Sequence, residues 1–201
     1  FDDQTLVATG LAEDFLWDGD YLFSSSYFYV KPNAEVVHLG PIWDCDRAFF
    51  GGKETTPSPF AMEFYSGNPE LIKKMMEKYD STLAPLVDQV LLGDEAAQTE
   101  DGSLHSISYY ASQIASSQKM DETIWGIAPL YDPYVAYDRT SGKTWAQFVS
   151  DLSAFSKKRI SYLSGVYSQD SWKYCTWRGS SVADWVPYVD STAVYEGWVY
   201  D

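Results

Sequence analysis

The sequence predicts an α+β fold that is mostly helical and contains one β-hairpin. Several long segments place apolar residues at the three- and four-residue intervals of amphipathic helices. Two short strand-like stretches, residues 27–31 and 35–39, flank the turn-forming sequence Pro32-Asn33-Ala34. The chain has 201 residues, 45% of them hydrophobic, which is enough for one sizeable core. We therefore expect a single domain.

The first predicted helix covers residues 5–16, with Thr5 as a candidate cap. Its apolar residues share one face, and Glu13 and Asp14 fall on the other. The predicted hairpin follows. After it, residues 51–67 contain two prolines and many small residues, so we expect a long loop there.

Further helical segments follow the loop. Asn68-Pro69 supplies a cap and then a proline at the first helical position, and Pro85 marks a second helix or a kink. Later helices are predicted over residues 103–119 and 145–166. In chain order, the apolar residues predicted to face the core are Leu71, Ile72, Met75, Met76 and Tyr79, then Leu104, Ile107, Tyr110, Ala111 and Ile114, then Trp145, Phe148, Val149, Leu152, Phe155, Ile160, Leu163 and Val166.

Basic and aromatic residues add detail to the last third of the chain. Lys157, Lys158 and Arg159 concentrate positive charge in the C-terminal half of the last helix, where the helix dipole favours it. Residues 120–142 carry aromatic residues without a clear period and are predicted to be a loop with aromatic anchors. Residues 168–201 form a tail rich in Trp and Tyr, predicted as short strands or extended covering segments.

The charge balance restricts the partners. Lys and Arg number 14 against 29 Asp and Glu, which gives a net charge of -15. Such a chain is not expected to bind nucleic acid phosphates, and a basic protein partner or substrate suits it better. No run of about 18 apolar residues occurs, so we predict no membrane span. The composition and the first residue, Phe1 rather than Met, favour a processed protein of the bacterial surface or the extracellular space.

Four aspartates flank the predicted hairpin. Asp18 and Asp20 precede its first strand, and Asp44 and Asp46 follow its second. Because antiparallel strands joined by a short turn bring their outer ends together, all four carboxylates are expected at one end of the hairpin. Carboxylates in such a cluster repel one another unless a cation is present. The sequence therefore predicts a hard divalent metal ion, namely Mg²⁺, Mn²⁺ or Ca²⁺.

The residues around these aspartates have more ordinary interpretations. Trp43 is expected to be a core or hairpin-end anchor, and His38 a packed or surface residue rather than a base. Lys53 is expected to be solvated, although it could reach a phosphate. Cys45 and Cys175 fit no metal or redox motif, and we expect small buried residues, with a disulfide only if the tail folds back over the acidic loop.

The acidic segment resembles the CotH kinase family, the spore-coat-protein-kinase-like group of bacteria. The segments that carry the resemblance are Asp14, Asp18-Gly19-Asp20, Ser25-Ser26-Tyr27-Phe28-Tyr29, Gly40-Pro41-Ile42-Trp43-Asp44-Cys45-Asp46, Gly51 and the R-x-x-x-L of Arg159 to Leu163. Asp18 stands where the family has Asn, and Cys45 where it has an aromatic residue. The resemblance covers about residues 5–167 of a predicted domain of residues 1–167. It ends at the tail, residues 168–201, which is predicted to pack on the same domain.

The resemblance implies the C-terminal half of an atypical kinase, with a C-lobe-like fold whose hairpin carries the acidic site. It implies ATP- and Mg²⁺-dependent phosphoryl transfer to Ser or Thr of a protein. Asp20 would be the catalytic acceptor of the hydroxyl proton, Asp44 a metal ligand and Asp46 a second ligand or a group behind it. Asp18 and Ser25 would contact the cofactor. An N-terminal lobe with a phosphate-contacting lysine is missing from this chain and is an expected partner.

Two other classes of function remain open. A metal-dependent glycosyltransferase also uses D-x-D, but it would need a Rossmann-like unit that the sequence does not contain. A secreted, calcium-dependent surface or carbohydrate-binding module without catalysis would use exposed Trp and Tyr side chains to stack on sugars.

Overall fold

The first helix of the computed structural model, α1, covers Asp3–Leu16. Asp2, rather than Thr5, caps its N-terminus: the Asp2 carboxylate accepts a hydrogen bond from the Thr5 N–H at 3.1 Å. The Thr5 hydroxyl instead accepts from the N–H of Leu39 at 3.2 Å. This bond ties the start of α1 to the hairpin.

The structure describes residues 1–18, 21, 25–49, 53–56, 58, 69–125 and 143–167. Most of the predicted loop 51–67 and all of residues 126–142 and 168–201, including Cys175, lie outside this part of the chain. The described residues are mostly helical and include a small antiparallel sheet, so the α+β prediction is confirmed. They form two compact units, one of Phe1–Pro85 with the described residues from Phe155 onward, the other of Leu86–Ala154.

The predicted hairpin is present. Strand β1, Phe28–Val30, pairs antiparallel with β2, Val37–Leu39, and Phe28 lies opposite Leu39. The turn begins at Lys31, whose carbonyl accepts from the N–H of Ala34 at 3.1 Å. Asn33 has a φ of 63°, a left-handed conformation that Asn tolerates better than most residues. Both strands are shorter than predicted because the turn uses the residues next to it.

The helix predicted after Asn68-Pro69 is α2, Pro69–Lys78. It continues through a wide π turn over Tyr79–Leu83, a single α turn over Ala84–Leu86 and a second π turn over Val87–Leu91. Pro85 lies between the π turns, where its missing N–H is accommodated by the irregular backbone. The predicted apolar stripe is buried at Leu71, Met75, Met76 and Tyr79, while the side chain of Ile72 is outside the described part.

The core of the first unit lies between α1, α2 and the end of the last helix, and it includes Leu6, Leu11, Phe15, Met75, Ile160, Leu163 and Val166. The Phe49 ring makes edge-to-face contacts with two other aromatic rings of this core. Its ring centre lies 6.0 Å from that of Phe15 and 5.5 Å from that of Phe155. The Tyr79 hydroxyl donates to the carbonyl of Ile160 at 2.8 Å. These contacts join the first half of the chain to the last helix.

The second unit contains α3, Ile107–Trp125. This helix starts later than predicted because Ser106 caps it, accepting from the N–H of Tyr109 at 3.1 Å. None of its 19 residues is buried, so the predicted apolar face at Ile107, Tyr110 and Ile114 is not part of a core.

The last helix, α4, covers Trp145–Val166, as the apolar spacing predicted. Its start is a capping box, in which the Thr144 N–H donates to the Gln147 side chain at 2.7 Å and the Gln147 N–H donates to the Thr144 hydroxyl at 3.3 Å. Phe155, Ile160, Leu163 and Val166 are buried. Within the described residues, no helix has the length and apolarity needed to cross a bilayer.

Candidate functional site

Two backbone hydrogen bonds hold the two acidic loops next to each other. At the open end of the hairpin, the N–H of Gly40 donates to the carbonyl of Tyr27 at 2.8 Å. Further along, the N–H of Phe49 donates to the carbonyl of Leu16 at 2.7 Å. The loop that leaves β2 is therefore attached to the C-terminal end of α1, from which the loop before β1 departs.

The predicted site residues occupy different environments. Asp18 is 2% exposed and Ser25 is also buried, whereas Asp44 is exposed. Asp20 lies outside the described residues. Asp46 belongs to the short 3₁₀ helix Cys45–Arg47, but its side chain lies outside the described part. The four-carboxylate cluster thus stays a prediction. Among the described residues, no three His, Cys, Asp or Glu side chains form a group that could hold a metal ion by themselves.

The backbone of the site is unusual at three non-glycine residues. Trp17, Asp44 and Phe49 have φ angles of 49°, 61° and 54°, in the left-handed region, which aromatic residues seldom adopt and Asp adopts more readily. Asp44 starts the 3₁₀ helix Cys45–Arg47, and in the described chain its carboxylate makes no capping hydrogen bond. Left-handed residues concentrate at binding and catalytic sites, where surrounding structure holds them in place. All three lie on the two loops that the Phe49–Leu16 bond joins.

Glu13 is a site residue that the sequence analysis missed. The helical pattern put it on the polar face of α1, but it is 1% exposed. Neither of its carboxylate oxygens has a hydrogen-bond partner among the described residues. Burial, together with the nearby charge of Asp18, raises the pKa of Glu13 from 4.5 to about 8.

Tyr21 lies in the same acidic environment. Its ring is buried, and its pKa is raised, first by burial and then by the charge of Glu13, with smaller effects from Cys45 and Asp18. The backbone carbonyl of Tyr21 accepts a 2.5 Å hydrogen bond from the hydroxyl of Ser26. The charges of Cys45 and Asp18, one from each acidic loop, thus both act on Tyr21.

Asp14 and Arg159 form a buried ion pair beneath this region. The prediction that Asp14 lies on the polar face of α1 is wrong, because its side chain is 0% exposed. Arg159, one of the three basic residues noted near the end of α4, is also 0% exposed. Arg159 Nη2 donates to Asp14 Oδ1 at 2.8 Å, and Arg159 Nε donates to the Asp14 carbonyl, also at 2.8 Å. The hydroxyl of Tyr167 donates to the other carboxylate oxygen of Asp14 at 2.7 Å. Asp14 and Arg159 belong to the two ends of the family-like pattern, and the fold brings them together.

Arg159 also fixes the loop that carries Lys53. Its Nη1 donates to the carbonyls of Lys53 and Glu54, both at 3.4 Å, and to that of Thr56. The ammonium group of Lys53 lies 5.3 Å from the centre of the Trp17 ring, a cation–π distance. Lys53 is half-exposed rather than fully solvated, and it lies beside the residue that precedes Asp18.

The hairpin exposes apolar surface next to the site. Trp43 is 60% exposed, so it is not part of the core, and its role as an anchor at the end of the hairpin stays a prediction. Tyr27, Phe28 and Tyr29 are also exposed. His38, as predicted, is packed: its Nδ1 lies 3.0 Å from the Asp2 carboxylate and its ring stacks on Tyr29.

The described part of the site has carboxylate oxygens of the kind that bind a hard cation, and Lys53 lies nearby. Exposed aromatic side chains of the hairpin lie next to it. The sequence marked Asp14 and Arg159 as notable, because both belong to the family-like pattern, but it gave no signal for Glu13. Comparison of the chain with models of known families, with curated proteins and with solved structures finds no match.

Proposed function

We propose that this chain is the C-terminal half of an atypical protein kinase that transfers a phosphoryl group from ATP to Ser or Thr with the help of Mg²⁺. The observation that supports it is the attachment of the loop after β2 to the C-terminal end of α1, where the loop before β1 begins, through the 2.7 Å bond from the Phe49 N–H to the Leu16 carbonyl. Phosphoryl transfer depends on positioning and charge neutralisation more than on covalent chemistry. Two acidic loops held side by side suit that requirement.

The proposed roles follow the family-like pattern. Asp20 accepts the proton of the attacking hydroxyl, Asp44 and Asp46 hold the metal, and Asp18 and Ser25 face the cofactor. The donor set fits the metal because carboxylate oxygens are hard ligands and because the buried Glu13 oxygens are not satisfied by described residues. The bound ion would neutralise the charge of the transferred phosphoryl group. Mn²⁺ or Ca²⁺ would suit the same donors.

The proposal includes two partners. An N-terminal lobe of the same polypeptide would complete the nucleotide site with a phosphate-contacting lysine. The phosphoacceptor is a protein, and the net charge of -15 favours a basic segment around the acceptor hydroxyl.

Phosphorylation by the full-length polypeptide tests the proposal. Asp20→Asn and Asp44→Asn should each abolish transfer of labelled phosphate from Mg²⁺-ATP to a basic protein substrate, since one removes the proton acceptor and the other a metal ligand. Asp88→Asn is the matched control, because Asp88 is an exposed residue of the π turn Val87–Leu91. Undiminished transfer by both site variants would refute the assignment.

A second candidate is a calcium-dependent surface or carbohydrate-binding module without catalysis. The exposed aromatic side chains Tyr27, Tyr29 and Trp43 favour it, because such rings can stack on sugars. Calorimetry with Mg²⁺-ATP, with Ca²⁺ alone and with soluble glycans separates the candidates. Heat from Ca²⁺ or glycans, and none from Mg²⁺-ATP, would replace the kinase proposal with this one.

A further inference from the structure

Glu13 is the buried polar group that the proposed roles do not use. It lies in the last turns of α1, where its backbone carbonyl accepts from the N–H of Trp17 at 2.9 Å. Its side chain is shielded from solvent and its two carboxylate oxygens have no hydrogen-bond partner among the described residues. A buried carboxylate without partners is costly, so its presence calls for a ligand.

The surroundings of Glu13 favour a positively charged ligand. Asp18, also buried, lies close enough for its charge to act on Glu13. The end of α1 adds the partial negative charge of its carbonyl groups. Two positive side chains of the same unit have other contacts: Arg159 binds Asp14, and the ammonium of Lys53 lies over Trp17.

We infer that Glu13 is a further carboxylate ligand, together with Asp18, for the divalent cation of the acidic site. This inference rests on the proposed function and adds a ligand that the family-like pattern does not include. Mg²⁺ is commonly bound by one or two carboxylates, with water and phosphate oxygens completing its shell. Two protein carboxylates are therefore sufficient, and a group of three is not required.

Binding of Mn²⁺ to the whole chain tests the inference without any assay of activity. Free Mn²⁺ is measured by electron paramagnetic resonance during titration, and the melting temperature is measured with and without the ion. Glu13→Gln keeps the shape of the side chain and removes its charge. It should raise the Kd for Mn²⁺ at least about tenfold, because losing one ligand weakens the binding free energy by about 1.4 kcal/mol or more. It should also remove the rise in melting temperature that Mn²⁺ gives the original chain.

Two further variants complete the design. Glu77→Gln, at an exposed position of α2, is the matched control and should bind Mn²⁺ like the original chain. Glu13→Asp keeps the charge but withdraws the carboxylate by one methylene, so it should also weaken Mn²⁺ binding. It replaces Glu13→Gln as the test variant if Glu13→Gln fails to fold. An unchanged Kd in the folded Glu13 variants would overturn the inference and indicate that a proton, not a metal ion, neutralises Glu13.

Asp44→Asn in the same titration separates this inference from the proposed function. If Glu13→Gln weakens Mn²⁺ binding and Asp44→Asn does not, the Glu13 site is real and the metal role proposed for Asp44 is wrong. If only Asp44→Asn weakens binding, the proposed metal ligand is supported and the inference about Glu13 fails.

Discussion

At the scale of single residues, Arg159 connects three segments that are far apart in the sequence. Its guanidinium binds the Asp14 carboxylate, the Asp14 carbonyl at the end of α1 and the carbonyls of residues 53, 54 and 56. The last carbonyls of a helix have no partners within the helix, and a cation there is favourable. The planar fork of Arg suits this set of acceptors, and the point charge of Lys does not.

We expect Arg159→Met to lower the free energy of unfolding by about 3–5 kcal/mol, because it leaves the Asp14 carboxylate buried and without its charge partner. Arg159→Lys should recover only part of the lost free energy of unfolding, since Lys restores the charge but not the several hydrogen bonds of the planar guanidinium. Urea denaturation monitored by circular dichroism measures both changes. The control is Lys157→Met, two residues earlier and exposed, which should change the free energy by less than about 0.5 kcal/mol. Equal effects of Lys157→Met and Arg159→Met would show that the ion pair is not important for stability.

The sequence could not predict which charged residues of α1 and α4 are buried. Helical spacing identifies the apolar face of α1 and puts Glu13 and Asp14 on the other side. In α4 the sequence shows Arg159 only as one of three consecutive basic residues. Asp14 and Arg159 are buried because they pair across 145 positions of sequence, and spacing within one helix contains no information about a partner in another. The family-like pattern marks both residues as notable but does not say that they touch.

At the scale of secondary structure elements, predictions succeeded where local chemistry decides the outcome. The apolar spacing gave the bounds of α4, and Asn68-Pro69 gave the start of α2. The turn sequence Pro32-Asn33-Ala34 gave the hairpin, since Asn33 tolerates the left-handed backbone that the turn needs. The same apolar spacing predicted burial for α3 and was wrong, because a stripe of apolar residues shows what could be buried and not what is.

Two glycines at helical segments provide a matched test of local packing. A Cβ on Gly93, just after the π turn Val87–Leu91, would overlap the Cβ of Ala97 and lie 2.9 Å from the carbonyl oxygen of Gln89. In the described chain, a Cβ on Gly165 in α4 would meet no atom within 4 Å. The two positions therefore differ in the space available.

We expect Gly93→Ala to destabilise the chain by about 1–3 kcal/mol, since the backbone around Ala97 must move. Gly165→Ala should stabilise it by about 0.5–1 kcal/mol, because Ala favours the helix and reduces the entropy of the unfolded chain. Thermal unfolding of both variants under the same conditions gives the comparison. A Gly93→Ala variant as stable as the original chain, or more stable, would contradict the packing around Gly93.

At the scale of the whole molecule, the excess of acidic groups sets the response to pH. With a net charge of -15, the folded chain repels itself, and partial protonation relieves this repulsion. Glu13 makes its own contribution to the pH dependence of stability, in addition to this general charge repulsion. Burial alone would raise the pKa of Asp2, but hydrogen bonds from Thr5 and His38 and the charge of His38 lower it overall. Hydrogen bonds from Ser103 and Thr99 lower the pKa of Asp101 to about 2. Their stabilising contributions are lost only in acid, below the range in which Glu13 acts.

Without divalent ions, stability should fall as the pH rises from about 5 to 8, and Glu13 should account for much of the fall. In the unfolded chain Glu13 loses its proton near its ordinary pKa of 4.5, whereas in the folded chain it keeps the proton up to about pH 8. Between these values the folded state binds one more proton, so each pH unit lowers the free energy of unfolding by up to about 1.4 kcal/mol. The side chain of the Glu13→Gln variant cannot ionise, so its free energy of unfolding should depend less on pH. It should be close to that of the original chain at pH 5 and higher at pH 8. Urea denaturation at several pH values, with a chelator present to remove divalent ions, measures the free energy of unfolding. Glu77→Gln is the control, and its free energy of unfolding should change with pH as that of the original chain does. Parallel curves for Glu13→Gln and the original chain would mean that Glu13 ionises in the folded protein as it does in water, and that its carboxylate is not buried.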